Sequence, residues 1–115
     1  MIDKPLDHIF ETPNAVMRTL AAPSLGSADL AVWTVEMRAG QAGPLHRAEH
    51  EQVWVVLDGR LAVNGTEYVS GETVVIAAGE ERRITAPEPV RALVASRAGG
   101  TVTTAEGVRP LPWAT

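Results

Sequence analysis

The chain has 115 residues, 14 acidic against 10 basic side chains, a net charge of −4 and no cysteine. That is the size of one domain able to bury its own core, and it excludes a disulfide framework or thiolate chemistry. The charges are scattered, with no basic stripe, which argues against nucleic acid as a partner.

In chain order, residues 1–13 hold Pro5 and Pro13 among mixed charges and are expected as a peripheral arm. Their start, MIDKPLDHIF, has no long apolar stretch, so no secretory leader is expected. No apolar run reaches the roughly 20 residues of a membrane helix. The expectation is a cytoplasmic protein without a membrane partner. Residues 14–22 lie between Pro13 and Pro23 and read as an edge strand rather than a helix. The segment ADLAVWTVEM, 28–37, is rich in Val, Trp and Thr and reads as a strand. On it Trp33, Val35 and Met37 share one parity and therefore one face. QVWVVL, 52–57, is a second strand, expected to stop at Asp58-Gly59. Residues 61–63 and 67–69 flank Asn64-Gly65, the dipeptide suited to a type I′ hairpin. Short strands at 73–77, 82–85 and 90–95 follow, separated by Gly or Pro. The tail 108–115 reads as a second arm, with Trp113 expected to dock on this domain or a neighbour, because an indole is costly to leave in water. Many short strands with regular turns predict a sandwich or a closed barrel, all-β.

Polar residues of chemical interest gather in one stretch. His46, His50 and Gln52 share parity with Trp54 and Val56, and on one regular strand they would line one face. Glu49 and Glu51 would then face water as a solvated edge. Composition alone does not separate a ligand cluster from surface or core histidines.

Spacing adds to this. Gly40 is followed after five residues by His46, then by Ala48, Gln52 and, six residues later, Gly59. Gly71 is followed by Ala77, Gly79, Arg82 and Ala86. These positions resemble the two motifs of the cupin superfamily, small single-domain cupins in particular, over about residues 30–97. The resemblance implies a cupin-type jelly-roll β-barrel of one domain, 1–115, with its core at about 28–97 and arms at 1–13 and 108–115.

In metal-binding cupins two His and a Glu of the first motif and a His of the second hold the ion. Here Ala48 and Arg82 stand in two of those places, and Gln52 in the Glu place. Alanine has no donor atom, and arginine stays cationic. The resemblance therefore implies degenerate ligand positions and no resident cofactor. The alternative is a divalent Zn, Fe, Mn or Ni ion held by His46, His50 and Gln52, serving an oxygenase or isomerase.

Without a metal, the resemblance places His46, Gln52 and Arg82 in a barrel mouth as catalytic residues. Trp54, Val56, Trp33, Val35, Met37 and His50 would line the pocket for a small-molecule ligand. Arg82 and Gln52 suit an enolate-like oxygen, and His46 titrates near neutrality. The expected chemistry is cyclisation, isomerisation or dehydration of a carbonyl-bearing, polyketide-like metabolite, since some similar cupins are polyketide cyclases or isomerases. A non-catalytic binding protein is the other alternative. Arg82 and Arg83 are equally readable as solvated partners of Glu80 and Glu81, the tryptophans as core filling, and His50 as a surface residue. Sheet edges that need cover lead to the expectation of a homodimer.

Overall fold

Eleven strands and two 3-10 turns make up the described part of the chain, residues 8–115 of a computed structural model. The strands are β1 (Ile9–Glu11), β2 (Val16–Ala21), β3 (Leu30–Met37), β4 (Arg47–Ala48), β5 (Gln52–Val63), β6 (Thr66–Val69), β7 (Thr73–Ile76), β8 (Ile84–Thr85), β9 (Val90–Arg97), β10 (Thr101–Thr104) and β11 (Gly107–Pro110). The 3-10 turns cover Pro23–Leu25 and Pro112–Ala114. The all-β expectation holds. Among the described residues no helix is long and apolar enough to cross a membrane.

All strand pairs are antiparallel. The large sheet runs β1-β2-β3-β9-β5-β6, with β7 and β8 also paired to β5. A smaller sheet, β11-β10-β4, stands apart from it. β5 is what curls the large sheet. Its first half pairs with β7 and β9, and its second half leaves them for β6 and β8. The expected stop at Asp58-Gly59 is a bend within this strand: the register shifts between Val56 and Asp58, as a bulge does. Bending one strand through two pairings turns an open sheet into a half-barrel.

Alternation supplies the interior. Met17 and Thr19 on β2, Trp33, Val35 and Met37 on β3, Trp54 and Val56 on β5, and Ala92 and Val94 on β9 all point inward. The hairpin at Asn64-Gly65 forms as expected, with positive φ at both residues, 50° and 86°.

The ends differ from the expected arms. Of the N-terminal arm, residues 1–7 lie outside the described residues, while Ile9–Glu11 form the edge strand β1. The tail is built in. Thr19 Oγ1 donates to the Trp113 carbonyl at 2.7 Å, and Gly99 N–H donates to that of Ala114 at 2.8 Å. The Trp113 ring meets Phe10 edge-on with centroids 6.4 Å apart. Leu111 and Ala114 are buried. Trp113 thus docks on its own domain, the better place for an indole.

Candidate functional site

A cavity of about 800 Å³ opens inside the half-barrel. Trp33, Val35 and Met37 form one wall and Trp54 another, as their parity leads one to expect. Met17, Ile84, Val102, Leu111 and Trp113 add to the apolar lining, and Arg83, Glu106 and Arg109 bring charge to it. All three tryptophans of the chain face this space. The rim comes from the loop before β2, the Gly43–Leu45 turn and the β10–β11 hairpin.

His46 and Gln52 both line the cavity. His46 sits opposite Arg82, its N–H donating to the Arg82 carbonyl at 2.9 Å and the Arg82 N–H returning a bond at 2.8 Å. Such a hydrogen-bonded antiparallel pair puts both side chains on one face. His46 Nδ1 lies 2.8 Å from the Pro44 carbonyl oxygen. A carbonyl only accepts, so Nδ1 carries the proton and Nε2 of the neutral ring holds the free lone pair. Burial pushes the imidazole below its ordinary value of 6.5; the Pro44 bond opposes this, and the Arg82 cation adds to the lowering. His46 is therefore a neutral base at neutral pH.

Gln52 is buried at 6% exposure. Its Oε1 accepts from Trp54 Nε1 at 3.0 Å, a contact between neighbours on one strand face. Arg82 Nη1 approaches the same oxygen at 3.5 Å.

The structure corrects three expected positions. Arg82 does not line the cavity. It is fully buried behind Gln52, with Nη2 donating to the Ala77 carbonyl at 3.2 Å. Burial lowers its affinity for the proton, partly offset by Glu80, yet a guanidinium remains a cation. Nor does it pair with the acids beside it: Glu81 pairs with Arg47 at 3.3 Å, and Glu80 Oε1 accepts from Ala77 N–H. Arg83, not Arg82, contributes to the lining. Val56 has the inward parity of Trp54 but lies at the register shift, packed in the core rather than on the cavity.

His50 is the third correction. The chain from 46 to 56 is not one regular strand. It bends at Glu49-His50, between β4 and β5. Glu49 and Glu51 are exposed, as expected of a solvated edge, and Glu49 is also tied to β10: its N–H donates to the Thr101 carbonyl, and its Oε1 accepts from Thr101 N–H at 3.1 Å and Oγ1 at 3.2 Å. The bend turns the His50 ring onto Gly100, where a Cβ would lie 2.7 Å from His50 Cδ2. His50 does not reach the cavity lining. Among the lining residues that sequence reasoning missed are Met17, Ile84, Val102, Leu111 and Trp113, with the charged Arg83, Glu106 and Arg109. Met17 carried a signal, its alternation with Thr19 on β2.

The donor set does not fit a divalent metal. Of His46, His50 and Gln52, only His46 and Gln52 face the cavity, and a stable site takes three or more ligands. The Gln52 oxygen, the atom a metal would take, already accepts from Trp54 and faces the Arg82 cation. Among the described residues no three His, Cys, Asp or Glu side chains cluster.

No protein-family model and no curated protein sequence matches the chain. Solved structures do share its fold. The polyketide cyclase RemF from Streptomyces resistomycificus is 22% identical, with a TM-score of 0.72 over 96% of this chain and 84% of that one. An RmlC-like cupin from Shewanella frigidimarina is 17% identical, with a TM-score of 0.67 over 77% of this chain and 81% of that one. A variant of the oxalate decarboxylase of Bacillus subtilis is 18% identical, with a TM-score of 0.71 over 84% of this chain and 29% of that one.

Proposed function

The chain has the cupin-type jelly-roll fold, and on that premise we propose that it binds a carbonyl-bearing, largely apolar metabolite and moves a proton on it without a metal. The observation that carries this reading is that the free Nε2 of a neutral His46 and the Gln52 amide line one cavity whose walls are largely tryptophan and aliphatic side chains, with Arg83, Glu106 and Arg109 also on its lining. The similarity to a polyketide cyclase supports the substrate type and no particular compound.

In the reaction, the ligand carbonyl oxygen accepts a hydrogen bond from the Gln52 amide. His46 Nε2 removes a proton from the adjacent carbon. The C–H electron pair becomes the C=C bond of an enolate, and the negative charge moves to the oxygen held by Gln52. His46 then returns the proton. Delivery to another carbon isomerises the ligand. Delivery to a leaving hydroxyl dehydrates it. Delivery to the alkoxide formed when the enolate carbon attacks a second carbonyl completes a cyclisation.

The test follows deuterium from D2O into the acidic carbon of 2-naphthoylacetone, a 1,3-diketone of suitable size, by NMR. The protein is expected to accelerate exchange, and His46→Ala to lower the acceleration by about 10²-fold or more. Exchange unchanged in His46→Ala overturns the proposal. Binding of the diketone with no exchange leaves the chain a binding protein. Stoichiometric metal in purified protein, lost in His46→Ala, overturns the metal-free reading.

A further inference from the structure

Among the described residues Arg82 is the only buried charge, and no carboxylate forms an ion pair with it, Glu80 offsetting its burial only in part. Its Nε has no hydrogen-bond partner at all. An unpaired guanidinium taken out of water costs several kcal/mol. The residue does not touch the cavity, so contact with a ligand does not account for it.

What it does touch is Gln52. An amide has one end that only accepts and one that only donates, and the surrounding network decides which way it lies. Two donors, Trp54 Nε1 at 3.0 Å and Arg82 Nη1 at 3.5 Å, converge on the Gln52 oxygen. Turned over, the amide would set its NH2 against both, leaving donors unsatisfied at about 1–3 kcal/mol each. The NH2 group therefore lies at the other end. It has no partner among the described residues and is not sealed from the cavity.

We infer that Arg82 is a positioning residue which, acting through Gln52, makes the Gln52 face of the cavity a hydrogen-bond donor selecting a ligand carbonyl or enolate oxygen over a hydrocarbon group of the same shape. The cation behind the amide polarises it, so an oxygen carrying negative charge is favoured further. The inference rests on the cavity as the ligand site and not on proton transfer.

Two isosteric probes test it: 2-acetylnaphthalene, with a C=O, and 2-isopropenylnaphthalene, with a C=CH2 in its place. Calorimetric titration of the intact protein at pH 8 is expected to show the ketone binding about tenfold tighter. The infrared carbonyl stretch of the bound ketone is expected below its value in hexane. In Arg82→Met the preference should fall toward unity and the stretch rise, and Arg82→Lys, which restores a cationic donor, should recover most of both. A structural role alone would weaken both probes together and leave their ratio unchanged, and that result overturns the inference. If Arg82→Met does not melt cooperatively, Gln52→Glu decides: its carboxylate pairs with Arg82 and only accepts, so the preference must vanish or reverse, and its persistence overturns the inference. Equal binding of the two probes to the unaltered protein overturns it too, even where deuterium exchange is intact. Binding of neither probe removes the cavity as a ligand site and this inference with it.

Discussion

Gly59 closes the first glycine-spaced motif, and the structure gives a physical reason for it. Its φ is +86°, and an added Cβ would lie 1.8 Å from the Pro89 carbonyl oxygen and 2.9 Å from the Val90 Cα. Both are backbone atoms, so no side chain can swing aside. To reach an ordinary contact β9 must retreat from β5 by more than about 1 Å, which breaks the last pair of their ladder, Gly59↔Val90. Gly59→Ala then loses about 1 kcal/mol to left-handed backbone, about 1 kcal/mol for a ladder bond and roughly 2 kcal/mol as Val90 leaves the core. The expected destabilisation is about 4 kcal/mol, large against the ~5–15 kcal/mol that holds a domain together. Gly65 is the control. Its φ is also +86°, but a Cβ there meets nothing within 4 Å. Gly65→Ala should lose only the backbone cost, about 1 kcal/mol. Urea unfolding of both variants, followed by circular dichroism, gives the comparison. Equal losses to within about 1 kcal/mol would refute the claim that close approach, rather than backbone conformation, demands glycine at 59.

Three other outcomes are expected. His46 holds its proton more weakly folded than unfolded, so between its folded value and 6.5 only the unfolded chain is protonated. Stability should therefore fall as pH drops through 6.5 and level off below the folded value; His46→Gln should flatten that part of the profile, and an unchanged profile in urea melts across this range would count against it. Trp113 is half-buried, so Trp113→Ala should cost less than the ~3–5 kcal/mol of a fully buried tryptophan, and it should lower the total quenching that a cavity ligand produces, since all three tryptophans face that space; a melting temperature equal to that of the unaltered chain would contradict the docked tail. The homodimer expected from the exposed sheet edges should give twice the 12.2 kDa chain mass by light scattering, and a monomeric mass would remove it.

Much of the barrel was legible in the sequence because its causes are local. Alternation assigned Trp33, Val35 and Met37 to one face, and a strand enforces that whatever it packs against. Asn64-Gly65 announced its hairpin because few dipeptides tolerate positive φ at both residues. The cupin resemblance rested on glycines, and at Gly59 the backbone of a distant strand leaves room for nothing else. The site was legible only in part. His46, Gln52 and Trp54 meet at the cavity, but parity failed at His50, because the chain bends where Glu49 binds Thr101, 52 residues away. Parity also could not give depth. Arg82 and His46 share a face through their backbone pair, yet the guanidinium lies sealed behind Gln52 and the imidazole is open to the cavity. The tail likewise became cavity wall only through its bond to Thr19, 94 residues away. Local pattern settles which way a side chain starts out from its strand. How far it gets, and what meets it there, depends on strands distant in sequence, and only the folded chain decides that.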